Sequence, residues 1–131
     1  MPVALVRYNP NKVSLAALQV LRERLTWMVP ATLSVEGGTL TTADLQIWML
    51  PCDRESAMTM MQSHMGLDYN PGEFDFQIVL ITKYYPDRQG TLDWANARMA
   101  DGINKALKNS RLDLKGFIYT LCVPAAFNVI G

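Results

Sequence analysis

Residues 7–12 read Arg-Tyr-Asn-Pro-Asn-Lys, and residues 83–88 read Lys-Tyr-Tyr-Pro-Asp-Arg. The two hexamers match by type at five of six places: basic, Tyr, Pro, Asn or Asp, and basic. The segments before them, Val3-Ala4-Leu5-Val6 and Val79-Leu80-Ile81-Thr82, are short and rich in β-branched residues, as strands are. After each hexamer the period changes. Leu18, Leu21, Leu25 and Met28 recur at steps of three and four, and so do Leu92, Ala95, Met99, Ile103 and Leu107. Those spacings trace one face of a helix. Each half then returns to an apolar strand that runs into proline, Pro51 in the first and Pro124 in the second. Repetition of the hexamer and of the element order together indicates duplication.

Two β-α-β units in tandem predict an α/β (α+β) fold. The expected core is a four-stranded mixed sheet with two helices on one face, since each crossover must be right-handed. The expected strands are 3–8, 44–50, 74–84 and 116–123. The first helix starts near Val13 or Ser14 and is expected to end or kink at Pro30. Residues 85–90 read as a loop, with Thr91 as N-cap of the second helix and Asp93 in its first turn. Asn70-Pro71-Gly72 reads as a turn. Residues 52–70, with Met58, Met60, Met61 and Met65, read as a short helix or hairpin plus linker. The whole chain, 1–131, reads as one domain of two pseudo-repeats, about 1–66 and 67–131. The sheet face away from the helices stays apolar, and oligomerisation is its simplest cover.

Composition excludes several classes. Lys plus Arg equals Asp plus Glu at 12 each, which leaves no basic surplus for nucleic acid. No apolar run approaches the ~20 residues of a membrane span. The start, Met1-Pro2-Val3-Ala4-Leu5-Val6-Arg7, lacks the pattern of a signal peptide. Cys52 and Cys122 sit in or beside apolar strand-like runs and read as reduced thiols of a cytoplasmic protein. With His64 the only histidine, no metal site is expected, and His64 itself reads as a surface residue.

Three features suggest chemistry. Pro2 follows Met1, and methionine is normally trimmed before proline. The trimmed chain begins with a secondary amine, which a nearby cation and an apolar pocket would hold neutral and ready to shuttle protons. Arg88 precedes the second helix, where a carboxylate is favoured; Lys12 holds the equivalent place in the first half. Tyr119 shares a strand face with Phe117 and has a hydroxyl to offer a substrate oxygen. Met-Pro starts are common, and each of these residues also has an ordinary role as core or solvated surface.

Taken together, these features make the chain resemble the tautomerase superfamily. Its nearest likeness there is to the long-chain cis-3-chloroacrylic acid dehalogenase group, with malonate semialdehyde decarboxylase beyond it. The resembling stretches are Pro2-Val3-Ala4-Leu5-Val6, Asp75 to Arg88, and Tyr119-Thr120-Leu121-Cys122-Val123-Pro124-Ala125-Ala126. The ending Phe127-Asn128-Val129-Ile130-Gly131 is similar to that of the short 4-oxalocrotonate tautomerases. The resemblance implies a homotrimer that needs no cofactor. It implies Pro2 as acid–base, Arg88 as carboxylate anchor and Tyr119 as a positioning hydroxyl. Phe127 would line the apolar wall, and Lys12 and Tyr84 complete the candidate substrate-binding set.

The departures are specific. The dehalogenases and the decarboxylase carry a second arginine in the loop, where this chain has Tyr84, Tyr85, Pro86 and Asp87. The dehalogenases' late glutamate is missing from Asn128-Val129-Ile130-Gly131, and their helix histidine has no match around Thr26-Trp27-Met28. Keto–enol transfer on a small 2-oxo or enol carboxylic acid needs less and is the expected activity. The alternatives are a dehalogenase, hydratase or decarboxylase of a three-carbon acid, and a non-catalytic oligomeric binding protein of the same fold.

Overall fold

The computed structural model describes residues 2–52, 74–124 and 130. Strand β1 (Val3–Tyr8) leads to helix α1 (Leu15–Leu33) and strand β2 (Gln46–Pro51). Strand β3 (Phe76–Lys83) is followed by a short helix α2 (Pro86–Gly90), helix α3 (Leu92–Asn109) and strand β4 (Gly116–Val123). The sheet order is β2-β1-β3-β4. β2 runs parallel to β1 and β4 parallel to β3, while β1 and β3 pair antiparallel at the centre. The two β-α-β units therefore join edge to edge into the expected mixed sheet.

The register agrees with the repeat. Residue 7 answers to 83 and residue 12 to 88, an offset of 76. On that offset Ala4 answers to Leu80, and these two residues face each other across the β1–β3 ladder, both fully buried. A pseudo-two-fold axis thus passes between them. α1 and α3 also superpose on the same offset to within one residue.

Both helices lie on one face. Leu21, Leu25, Val29 and Leu33 of α1 pack with Ala95, Met99, Ile103 and Leu107 of α3 over Ala4, Val6, Ile78, Leu80 and Ile118 of the sheet. Alternation in the strands sends Val3, Leu5, Ile81 and Tyr119 to the opposite face. At its β2 edge that face carries Trp48 and Leu50, both exposed. Asn96 of α3 ties the helix layer to β4: its amide donates to the Ile118 carbonyl at 3.2 Å and its oxygen accepts from the Thr120 hydroxyl at 2.7 Å.

Several expectations need correction. α1 does not end at Pro30; it runs on to Leu33. Proline removes one backbone donor, but Val29, Pro30 and Leu33 are all buried, and the last turn closes when the Ser34 N–H and hydroxyl both donate to the Pro30 carbonyl. Residues 86–90 are helical rather than a loop, because Pro86 at the first position has its φ preset for a helix. Thr91 is the residue before α3, yet its hydroxyl donates backward to the Asp87 carbonyl at 3.0 Å instead of capping α3. The second strand begins at Gln46 rather than 44, because Thr42–Asp44 forms a single 3-10 turn. The third spans Phe76–Lys83 within the expected 74–84. The methionine-rich stretch, the Asn70-Pro71-Gly72 turn and His64 lie outside the described residues.

Candidate functional site

One end of the sheet gathers several polar groups beside the apolar core. Thr82 alternates with Leu80 and Ile78 and so points toward the helix layer, where it is buried. Its ladder partner on β4 is Cys122. On the other side Val3 pairs with Ile81, which places Pro2 next to Thr82 in the ladder's continuation. Pro2 is fully buried, and its carbonyl accepts from the Gln46 N–H at 3.1 Å. Pro2, Thr82 and Cys122 thus form one cross-strand row at the point where the chain leaves β3 for α2.

Arg88 closes this corner from above. It sits on α2 and is only 2% exposed. Its Nε donates to the Leu33 carbonyl at 2.8 Å and its Nη2 to the Gly38 carbonyl at 2.9 Å. Its Nη1 donates to the Lys83 carbonyl at 2.7 Å and to the Thr82 hydroxyl at 3.1 Å. Four of the five N–H donors of a guanidinium are therefore taken, and one on Nη2 is left. The Tyr85 ring lies 4.8 Å from the guanidinium, with the Lys83 ammonium 5.6 Å from the same ring. Gly38 packs closely here: a Cβ would lie 3.0 Å from the Tyr85 ring and 3.2 Å from Arg88 Nη2, so these side chains would have to give by a few tenths of an ångström.

The electrostatics are unbalanced. Among the described residues the only ion pair is Lys105–Asp101, and Arg88 has no carboxylate partner. Carbonyl dipoles satisfy its hydrogen bonds without cancelling its charge. Burial pushes the guanidinium below its ordinary value, and the neighbouring Cys122 and Tyr85 offset this in part. Arginine remains a cation in any case. Burial likewise pushes the Cys122 thiol up, against the pull of Arg88, so that it stays a neutral thiol at pH 7. A buried cation with one free donor is a place that favours an anion.

The candidate residues divide by position. Pro2 and Arg88 come to the same corner, linked through Thr82. Tyr84 is close by, exposed, with its N–H donating to the Val123 carbonyl at 2.8 Å. Tyr119 pairs with Val79 in mid-sheet on the face turned away from the helices, so it does not meet Pro2 within one chain. Lys12 lies at the far end of the sheet and is exposed. Phe127 lies outside the described residues. Thr82, Tyr85, Cys122 and Gly38 carry no role in the sequence reading. Tyr85 stands three residues before Arg88, the spacing of neighbours on a helix, and that is the signal that points to it.

No protein family matches the chain by sequence, and no curated protein does. Solved structures do match. The crystal structure of native Ps01740 superposes with a TM-score of 0.58 at 12% identity, over 96% of this chain and 99% of that one. That of 5-carboxymethyl-2-hydroxymuconate delta-isomerase, a tautomerase-superfamily member, does so with a TM-score of 0.53 at 14% identity, over 100% of this chain and 88% of that one. The fold is tautomerase-like. At such identities the likeness is one of fold, and neither structure singles out the dehalogenase or decarboxylase group within tautomerase-like proteins. Among the described residues no helix is long and apolar enough to cross a membrane.

Proposed function

We propose that this tautomerase-like chain is an isomerase acting on a small 2-oxo or enol carboxylic acid, with the amine of Pro2 as acid–base and Arg88 as the anion anchor. The observation that carries the reading is that Pro2 neighbours Thr82, whose hydroxyl accepts from a buried guanidinium with no carboxylate partner among the described residues. In this reading Met1 is removed. The neighbouring charge and the apolar surroundings then both favour the neutral amine. That amine takes the enol hydroxyl proton, and a proton passes to the adjacent carbon as the ketone forms. The free Nη2 donor of Arg88 holds the substrate carboxylate, and its charge stabilises the enolate; loss of one such group commonly costs about 10²–10³ in rate. Tyr119 could serve this corner only from a neighbouring copy, in keeping with assembly as a homotrimer in the cytoplasm.

One observation favours a second reading. Arg88 spends most of its donors on three backbone carbonyls and Thr82, as a structural tie would. On that reading the chain is a non-catalytic oligomeric binding protein that kept the fold. An ultraviolet assay of phenylenolpyruvate ketonisation separates the two. The Met1-trimmed protein is expected to be active and its Pro2→Ala variant to lose about 10²-fold or more. Equal rates in both, or none in either, sink the isomerase and leave the tie.

A further inference from the structure

The outer surface of the helix layer holds a second feature, remote from the Pro2 corner. α1 and α3 approach closely at Gly102, where a Cβ would lie 2.6 Å from Met28 Sδ and 3.4 Å from Arg24 Nε. With glycine at this position the Met28 side chain lies across α3 without having to shift, and Arg24 lies beside it. Beside this contact runs a groove of about 650 Å³, within the range of about 300–1,000 Å³ usual for small-molecule sites. Trp27 stands on its α1 side and Trp94 on its α3 side, 69% and 58% exposed. Neither follows the apolar stripe that its helix presents to the core. An exposed indole pair around one groove is a surface with something to recognise.

The charge in the groove is mostly positive. Arg24, Arg98 and Lys105 line it, with Asp101 as the single acid. Lys105 already holds Asp101 at 3.1 Å. Arg24 and Arg98 are left with no carboxylate partner among the described residues, and Arg98 lies 5.3 Å from the Trp94 ring centre. Guanidinium groups match phosphate oxygens in a fork, and indole faces stack flat rings. Both preferences are met by one class of small molecule.

We propose that the α1–α3 groove is a binding site for a nucleoside phosphate, with the base against the tryptophans and the phosphates against Arg24 and Arg98. The site stands on residues that the isomerase reading does not use. It also lies on the side of the molecule opposite the apolar sheet face, so association through that face leaves it open.

The test is a titration of the full-length protein with ADP, followed by tryptophan fluorescence. Saturable quenching with a midpoint below about 1 mM is expected. The Arg24→Gln/Arg98→Gln double variant changes only surface side chains and should keep the wild-type circular dichroism while binding at least about tenfold more weakly. Adenosine should bind about tenfold more weakly than ADP as well. Pro2→Ala should bind ADP like the wild type, whatever it does to ketonisation. No saturable change in the wild type overturns the proposal, and so does equal affinity for ADP in the double variant or equal affinity for adenosine. Affinity for oligo-dT that rises with each added nucleotide would make the surface a nucleic-acid track, and would overturn it too.

Discussion

Arg88→Gln removes a charge, but first it strips donors from Leu33, Gly38, Lys83 and Thr82. Hydrogen bonds to charged groups contribute about 1.5–3 kcal/mol each and do not add, so a loss of about 3 kcal/mol is expected in urea denaturation. Arg88→Lys keeps the charge but has three donors and no plane to lie on Tyr85, and should recover only part of that loss. Unchanged stability in the glutamine variant would show that these bonds are not a tie. Cys122 makes a second test at this scale. Its folded value is raised by burial, so its contribution to stability is full below the unfolded thiol's value and is lost as pH climbs through the folded one. Alkylation of Cys122 at neutral pH is therefore expected to be slower in the folded than in the unfolded chain, as read by mass spectrometry of its peptide. Arg88 stood out in the sequence, but the ties it makes did not. The acceptors from Leu33 and Gly38 are backbone carbonyls 55 and 50 residues from Arg88, and a carbonyl has no side-chain signature.

At the scale of elements, periodicity was enough wherever the forces are local. β4 spans the expected residues 116–123, and α1 begins after Ser14, whose hydroxyl accepts from the Ala17 N–H at 3.1 Å. Reading failed where a local rule met a tertiary one, as at Pro30, where burial of Leu33 outweighs a missing N–H. Pairing adds constraints that no propensity shows. Gly116 faces Phe76 in the ladder, and a Cβ there would fall 2.3 Å from the ring. Gly116→Ala must shift a buried phenylalanine and should cost about 1–3 kcal/mol by denaturant titration. The turn before β2 depends on acid–base state instead. Asp44 accepts from the Thr41 N–H at 2.7 Å and from its hydroxyl, which hold its carboxyl below the usual range. Its contribution is present above the unfolded carboxylate's value and is lost as pH falls through the lower folded one. The Thr41 amide resonance should move in that acid window and stay still in Asp44→Asn.

For the whole molecule, the described helices cover one side of a sheet whose strands are largely apolar on both; on the far side Val79 at the centre is buried, while the β2 edge is open. Trp48 and Leu50 stand exposed on the far side, paired with Leu5 and Arg7. Assembly through that face is the proposal with which this pattern agrees. Sedimentation should find the wild type larger than a monomer and Trp48→Glu shifted toward monomer; a monomeric wild type would count against it. The duplication was read from a pair of hexamers, and the β1–β3 ladder pairs Ala4 with Leu80 at the hexamers' offset. Its breaking was not legible. In the first half the loop buries Val13 and leaves Lys12 outside; in the second, α2 buries Arg88 and leaves Gln89 outside. The burial has slipped by one residue between copies, and with it an aliphatic side chain has been exchanged for a cation. Of two matching ends, only one holds a buried cation among the described residues. A carboxylate bound there would saturate at one equivalent per chain, not two, and every copy added to an assembly would have a distinguishable head and tail.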